Sequence, residues 1–323
     1  KMAENFHDAR LRFFLGDVRD RSRLEMAFRE VDIVIHAAAL KIVGTAEYNP
    51  FECINTNVFG AMNVIDAAIS CGVNKVAALS TDKSSNPVNL YGASKLCSDK
   101  LFIAANNYVG RQDCVFSVVR YGNVMGSRGS VIPRFVELNK QNKPLVITDE
   151  RMTRFMISLE QGIDLVLTAL SSAKGGEIFV KKIPSMNILD IAKAVNPSAQ
   201  LKMIGIRPGE KLHEQMIGLE DAHTSFCYDG FYKILPQIND WHRDIVRIGN
   251  GVSVPEGFVY SSDKNTEWMT VDELAGVGET KSLIHKIIHF YFCYKTNFSN
   301  HEYFFVLDVC FEKNRVKDCS WDS

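Results

Sequence analysis

The chain has 323 residues, 46% of them hydrophobic, with a formal net charge of −1. That is enough apolar material for a large core, in two domains or one large one. The balanced charge gives no electrostatic case for nucleic acid or an anionic membrane, so neither is an expected partner.

Residues 12–15 form the first strand candidate; Gly16-Asp17-Val18 turns away from it, and a helix is expected over residues 21–29. Ile33-Val34-Ile35-His36 reads as a second strand, running into Ala37-Ala38-Ala39. A helical pattern over residues 57–71 precedes Val76-Ala77-Ala78-Leu79, whose unbroken apolar run suits a buried parallel strand. Residues 92–107 carry another helical pattern, and residues 115–120 a further strand. This alternation predicts an α/β fold, a Rossmann-like doubly wound parallel sheet with helices on both faces. After Arg120 the rhythm loosens into turns such as Ile183-Pro184-Ser185 and Arg207-Pro208-Gly209 between short helices, as expected of a smaller C-terminal substrate-binding region.

The expected division is a nucleotide-binding domain over residues 1–125, to which later segments return, a mainly substrate-binding region over 126–275, and an atypical tail over 276–323. A dinucleotide fold opens with strand, Gly-rich turn and helix, whose amides hold a pyrophosphate. No such fingerprint precedes Asp17. The chain is therefore expected to begin after the second strand, without the first βαβ unit. In the tail, Phe, Tyr, Asn, Lys and Cys dominate without periodicity, the composition of a non-native or disordered segment. Its apolar stretch, residues 283–294, is too short to span a bilayer. The eight cysteines show neither C-x-x-C nor metal-ligand spacing, which points to reduced thiols in the cytoplasm and to no metal.

The chemistry concentrates in Ser80-Thr81-Asp82-Lys83-Ser84-Ser85-Asn86-Pro87-Val88-Asn89-Leu90-Tyr91-Gly92-Ala93-Ser94-Lys95. Tyr91 and Lys95 lie four apart at the start of a helix and share one face. An ammonium near a phenol favours the phenolate and lowers a pKa that is otherwise about 10. Such a tyrosine can take a hydroxyl proton while hydride leaves the same carbon. Asp82 and Lys83 follow the strand's carboxyl end, where open α/β sheets place their ligands. Alone, Tyr-x-x-x-Lys is a weak signal, and an Asp-Lys turn is most often a solvated ion pair.

A longer ordered set of motifs is specific. It includes Gly16-Asp17-Val18-Arg19-Asp20, His36-Ala37-Ala38-Ala39-Leu40-Lys41, Arg120-Tyr121-Gly122-Asn123-Val124 and Gly126-Ser127-Arg128-Gly129-Ser130-Val131. Arg151-Met152-Thr153-Arg154-Phe155, Lys182-Ile183-Pro184-Ser185-Met186 and the run from Gly205 to Glu214 complete it. From about residue 10 to residue 274 the chain resembles the soluble, C5-inverting UDP-N-acetylglucosamine 4,6-dehydratases of the extended short-chain dehydrogenase/reductase superfamily. Retaining nucleotide-sugar dehydratases carry Asp-Glu after the threonine, whereas this chain has Asp82-Lys83. A larger membrane-anchored group has Met at the position of Tyr91.

The resemblance implies a cytoplasmic, homo-oligomeric hydro-lyase using NADP and a UDP-sugar, at the first step of pseudaminic acid synthesis for flagellin glycosylation. It implies Tyr91 with Lys95 as base for the 4-hydroxyl, Lys83 as base at C5 and Asp82 as acid for the C6 oxygen. Asp17, Val18, Ala37, Ala38, Lys41 and Thr81 would contact the cofactor, together with Tyr91 and Lys95. Lys41, Asn123, Arg128, Arg207 and Glu210 would contact the nucleotide sugar. Ile42-Val43-Gly44 replaces a His-Val-Pro-like run of the family, and Met156 a common Trp, which could alter the sugar fit. Two other readings stand beside this one. One is a related epimerase or reductase using only Tyr91 and Lys95. The other is an inactive fragment that keeps the fold, for which the missing phosphate loop argues.

Overall fold

The computed structural model describes residues 13–110, 113–127, 129–276 and, as backbone, 304–307. Helix α1 (Arg21–Ala27) begins where the Asp20 carboxylate accepts the Arg23 N–H at 3.0 Å. Strand β1 (Ile33–His36) is buried along its whole length. Helices α2 (Val43–Tyr48) and α3 (Pro50–Ile54), a π-helical turn (Asn55–Phe59) and α4 (Gly60–Cys71) follow. Strand β2 (Lys75–Leu79) then leads through a 3₁₀ turn (Asp82–Ser84) into α5 (Leu90–Ala105) and on to β3 (Val115–Arg120).

The second half contains β4 (Asn123–Val124), α6 (Val131–Lys140), β5 (Leu145–Ile147), β6 (Thr153–Ile157), α7 (Leu159–Ser172), β7 (Ile178–Lys181), β8 (Ser185–Asn187) and α8 (Ile188–Val195). Short strands β9 (Leu201–Met203), β10 (Gln215–Ile217), β11 (Ser225–Cys227) and β12 (Phe231–Ile234) precede α9 (Ile245–Ile248), β13 (Val252–Ser253), β14 (Tyr260–Ser261) and α10 (Val271–Ala275). The last described strand is β15 (Phe304–Leu307).

The main sheet has the order β13-β11-β12-β7-β3-β2-β1-β15. Strands β7, β3, β2, β1 and β15 run parallel, and β12 turns antiparallel onto β7. Helices α1, α4 and α5 cover one face, burying Leu24, Val64 and Phe102 with Phe116 of β3. Helix α7 covers the other, where Ile163 and Val166 meet Phe179. Each fully buried phenylalanine contributes about 1.5–3 kcal/mol. A separate cluster of Phe135, Leu145, Ile147, Met156, Ile191 and Leu274 joins α6, β5, β6, α8 and α10. The expected Rossmann-like layering is therefore present, extended at one edge by antiparallel strands that the sequence did not announce.

The strand expected at residues 12–15 is a correction. Residue 12 lies outside the described residues, and Phe13 to Gly16 have no regular structure, with Leu15 91% exposed. A strand requires a hydrogen-bonded neighbour, and the position beside β1 is held by β15 in parallel register. Apart from those four residues, the tail, including residues 283–294, lies outside the described residues. No helix among the described residues is long and apolar enough to cross a membrane.

Candidate active site

The carboxyl ends of β1, β2 and β3 open onto one edge of the sheet, and the sequence-predicted chemistry gathers there. Helix α5 begins because Asn89 caps it, its side-chain oxygen accepting the Gly92 N–H at 2.8 Å. Gly92 is needed for contact rather than flexibility: a Cβ there would stand 2.3 Å from the Lys83 carbonyl oxygen. The Asp82–Ser84 turn thus lies directly on the first turn of α5. Gly92→Ala is expected to destabilise the fold by about 1–3 kcal/mol through overpacking, measured by urea denaturation.

Asp82 is fully buried and Lys83 covers it. The Lys83 Nζ donates to Asp82 Oδ1 at 3.0 Å and to Asn123 Oδ1 at 3.4 Å. It also lies 3.4 Å from Glu214 Oε1, and Glu214 in turn faces Arg154 Nε at 3.8 Å. The outer oxygens, Asp82 Oδ2 and Glu214 Oε2, are buried without a hydrogen-bond partner among the described residues. Burial, reinforced by the Glu214 charge, raises the Asp82 pKa in spite of the Lys83 ammonium. Burial opposes charge on Lys83 as well, but the two carboxylates outweigh it and raise its pKa. Burial also works against an ionised Glu214, yet Lys83, Arg154 and Lys211 together pull its pKa below the ordinary value. Two buried carboxylates are thus driven apart, Asp82 toward the acid and Glu214 toward the anion.

Tyr91 is 8% exposed, and burial pushes its phenol up to about 12 against the pull of Lys83 and the Thr81 hydroxyl. Lys83, from the turn packed on α5, thus acts on the phenol across the site. Lys95 is 3% exposed. Burial lowers its pKa, with Asp99 opposing. Burying an ammonium is costly, and the hydroxyls of a cofactor ribose would offer it acceptors. The small Ala37 and Ala38 follow β1 on the same edge. These residues fit the nicotinamide half of a dinucleotide.

The remaining sequence-predicted positions divide. Asp17 is exposed and chelated by Arg19 at 2.7 Å, which holds its carboxyl below the usual range. Val18 is buried against Gly60. Thr81 donates to Asp82 Oδ1 at 2.9 Å, and Lys41 is exposed on the loop after β1. Arg128 lies outside the described residues. Arg207 and Glu210 pair with each other at 3.8 Å. Their loop is tied back to the site, since Asn89 donates to the Gly209 carbonyl and Lys211 to the Ser85 carbonyl, each at 2.7 Å. His213 sits on an extended segment, bonded to the Thr153 hydroxyl at 2.8 Å.

Sequence reasoning missed Glu214, Arg154 and Lys211 as site residues, and also the support beneath the turn. Asp99 Oδ2 accepts from Ser80 at 2.8 Å, Ser84 at 2.9 Å and Arg120 at 3.2 Å. Asn57, in the π-helical turn, exchanges hydrogen bonds with the Leu40 backbone and donates to Ser94 at 2.9 Å. It pins the loop after β1 to α5, a use consistent with π turns clustering at functional sites. For Glu214, Arg154 and Lys211 the available signal was that they stand inside the specific motifs.

A family model described as "Polysaccharide biosynthesis protein" matches residues 1–236. An inverting UDP-N-acetylglucosamine 4,6-dehydratase from Campylobacter jejuni is 54% identical over 283 residues, 86% of this chain and 85% of that protein. The chain belongs to this dehydratase family. A UDP-glucose 4-epimerase from Rickettsia akari is 46% identical over 70% of this chain and 67% of its own length. Among solved structures, Pen from Bacillus thuringiensis matches with TM-score 0.76 and 35% identity, covering 85% of this chain and 83% of that one. DesIV from Streptomyces venezuelae, a dTDP-glucose 4,6-dehydratase with NAD and TYD bound, matches with TM-score 0.59 and 25% identity over 64% and 70% of the two chains. The resemblance read from the motifs is thus the relationship the comparisons find.

Proposed function

We propose that the chain dehydrates UDP-N-acetylglucosamine to a UDP-4-keto-6-deoxy-L-arabino-hexose with inversion at C5, the first step of pseudaminic acid synthesis. The observation that carries this reading is the Lys83 ammonium clamped on buried Asp82, beside Tyr91, at the carboxyl edge of the sheet. An epimerase needs only the tyrosine and its helical lysine. A buried acid and amine in addition suit an elimination, which must move a proton from carbon and protonate a leaving hydroxyl.

NADP, when bound, supplies the acceptor for the C4 hydride and the donor that returns it at C6. Lys95 and the Ala37-Ala38 segment would hold its nicotinamide ribose, with Asp17 and Val18 toward the adenine. Tyr91 removes the 4-hydroxyl proton, for which its phenol has to be drawn down from about 12. A cationic nicotinamide, when bound, would act in that direction, as Lys83 already does. The resulting 4-ketone acidifies C5, and Lys83 takes that proton once its own ammonium proton has passed along the 3.0 Å contact to Asp82. Asp82, kept protonated by burial, supplies the proton with which the C6 hydroxyl departs as water. Because Asp82 is sealed, this delivery requires Lys83 to swing aside as it engages C5. Reprotonation of C5 from the opposite face, by a proton drawn from solvent, completes the inversion. Asn123, Arg207 and Glu210 are the proposed sugar and diphosphate contacts.

The test is product analysis after incubation with UDP-N-acetylglucosamine and NADP in deuterated water. The expected product absorbs in alkali as a 4-keto-6-deoxy sugar and carries deuterium at C5. The relative from Rickettsia favours a second reading, a 4-epimerase. That reading predicts a 4-epimer with its 6-hydroxyl intact and no deuterium at C5.

A further inference from the structure

We propose that Glu214 is a positioning residue for Lys83, fixing the place of its ammonium and setting the pH range in which the Asp82–Lys83 pair works. The inference rests on the reading of Lys83 as the C5 base. Glu214 immediately precedes β10, on a part of the chain remote in sequence from the catalytic turn, and is 3% exposed. Its Oε1 lies 3.4 Å from the Lys83 Nζ, on which Asp82 Oδ1 also rests at 3.0 Å. One amine is therefore held between two buried carboxylates. Its approach is fixed by Asn123 Oδ1 at 3.4 Å.

The groups facing this amine come from several elements. Asp82 shares its turn, Tyr91 belongs to α5, Arg154 to β6, and Lys211 and Glu214 to the segment before β10. Arg120 and Asp99 form a pair of their own behind the turn. Of these neighbours, Glu214 carries the anionic charge that is not the proposed acid. Its field favours the proton on Lys83 and the proton on Asp82 alike. The pair titrates together, so both limbs of the pH–rate profile respond to Glu214 in the same direction. Removing its charge lets each group lose its proton at lower pH, and the whole profile moves to the acid side. Removing the Arg154 charge does the opposite.

The experiment measures kcat/KM against pH for the full chain with UDP-N-acetylglucosamine and NADP. Glu214→Gln is expected to move both limbs to lower pH by about one unit or more, a tenfold change in proton affinity. Glu214→Asp, which keeps the charge, is expected to hold the profile near its original position. Arg154→Gln is expected to move it to higher pH. A Glu214→Gln profile that falls in amplitude without moving would overturn the proposal, as would shifts of the same sign in Glu214→Gln and Arg154→Gln. If Glu214→Gln shows no cooperative unfolding transition, Arg154→Gln decides: an alkaline shift supports the inference and an unmoved profile sinks it. Undiminished dehydration by Lys83→Ala is a separate failure, that of the base assignment itself.

Discussion

Lys83→Ala is expected to lower the rate of dehydration by about 10²–10⁴-fold, the usual contribution of a positioned general base. Nucleotide-sugar binding should persist, because the lysine side chain spends its polar contacts on Asp82, Glu214 and Asn123. Alanine alone does not distinguish proton transfer from electrostatics, since it also strips two buried carboxylates of their cation. Those groups would answer by taking up protons rather than staying charged in a poor solvent. Lys83→Arg supplies the missing contrast. A guanidinium keeps the positive charge and can bond both carboxylates, yet it does not deprotonate in a protein. The arginine variant is therefore expected to fold with near-native stability and to be about as slow as the alanine variant. Both would still oxidise C4, so single-turnover assays should show hydride transfer without water loss or deuterium uptake at C5. Recovery of native dehydration in Lys83→Arg would remove Lys83 from proton transfer and leave it a structural cation.

What the sequence exposed and what it hid follow from the range of the interactions. Strands β1 and β3 fell on the residues expected, because a parallel strand buried on both faces must be a continuous apolar run. Helix α5 began two residues earlier than its pattern, at the point Asn89 caps. The failed strand at residues 12–15 had suitable side chains but no partner, and pairing is not written in local composition. The antiparallel strands β11 to β13 are two to four residues long, too short for alternation to register. At the site, Thr81, Asp82, Lys83, Tyr91 and Lys95 were legible together because one strand–turn–helix carries them all. Glu214, Arg154 and Lys211 arrive from β6 and the segment before β10, where only the folded chain reveals a common destination. The same limit explains the tuning of Tyr91. Helical spacing pointed to Lys95, and the folded chain adds Lys83 from the turn packed on Gly92.

The second large effect concerns stability. Asp99→Ala is expected to cost about 3–5 kcal/mol, the usual penalty for removing one partner of a buried ion pair. Arg120 is 2% exposed; with Asp99 gone it keeps the Met216 carbonyl at 2.8 Å, while its Nε already lacks a partner among the described residues. A guanidinium cannot shed its charge to escape the interior. Ser80 and Ser84 lose their shared acceptor at the same time, and these two bracket Thr81, Asp82 and Lys83. Destabilisation and loss of turnover should therefore appear together, read by urea denaturation and by the dehydration assay. Asp99→Asn, which still accepts hydrogen bonds, should fall between the alanine variant and the native chain. The decisive comparison is the double variant Asp99→Ala, Arg120→Met. Replacing a whole buried pair with apolar groups is often neutral, so the double variant is expected to unfold at higher urea than Asp99→Ala alone. Its stability should return without its activity, because methionine packs the core but offers nothing to hold the serines of the catalytic turn. A double variant no more stable than the single one would mean that Asp99 matters for its hydroxyl contacts and not for the charge of Arg120.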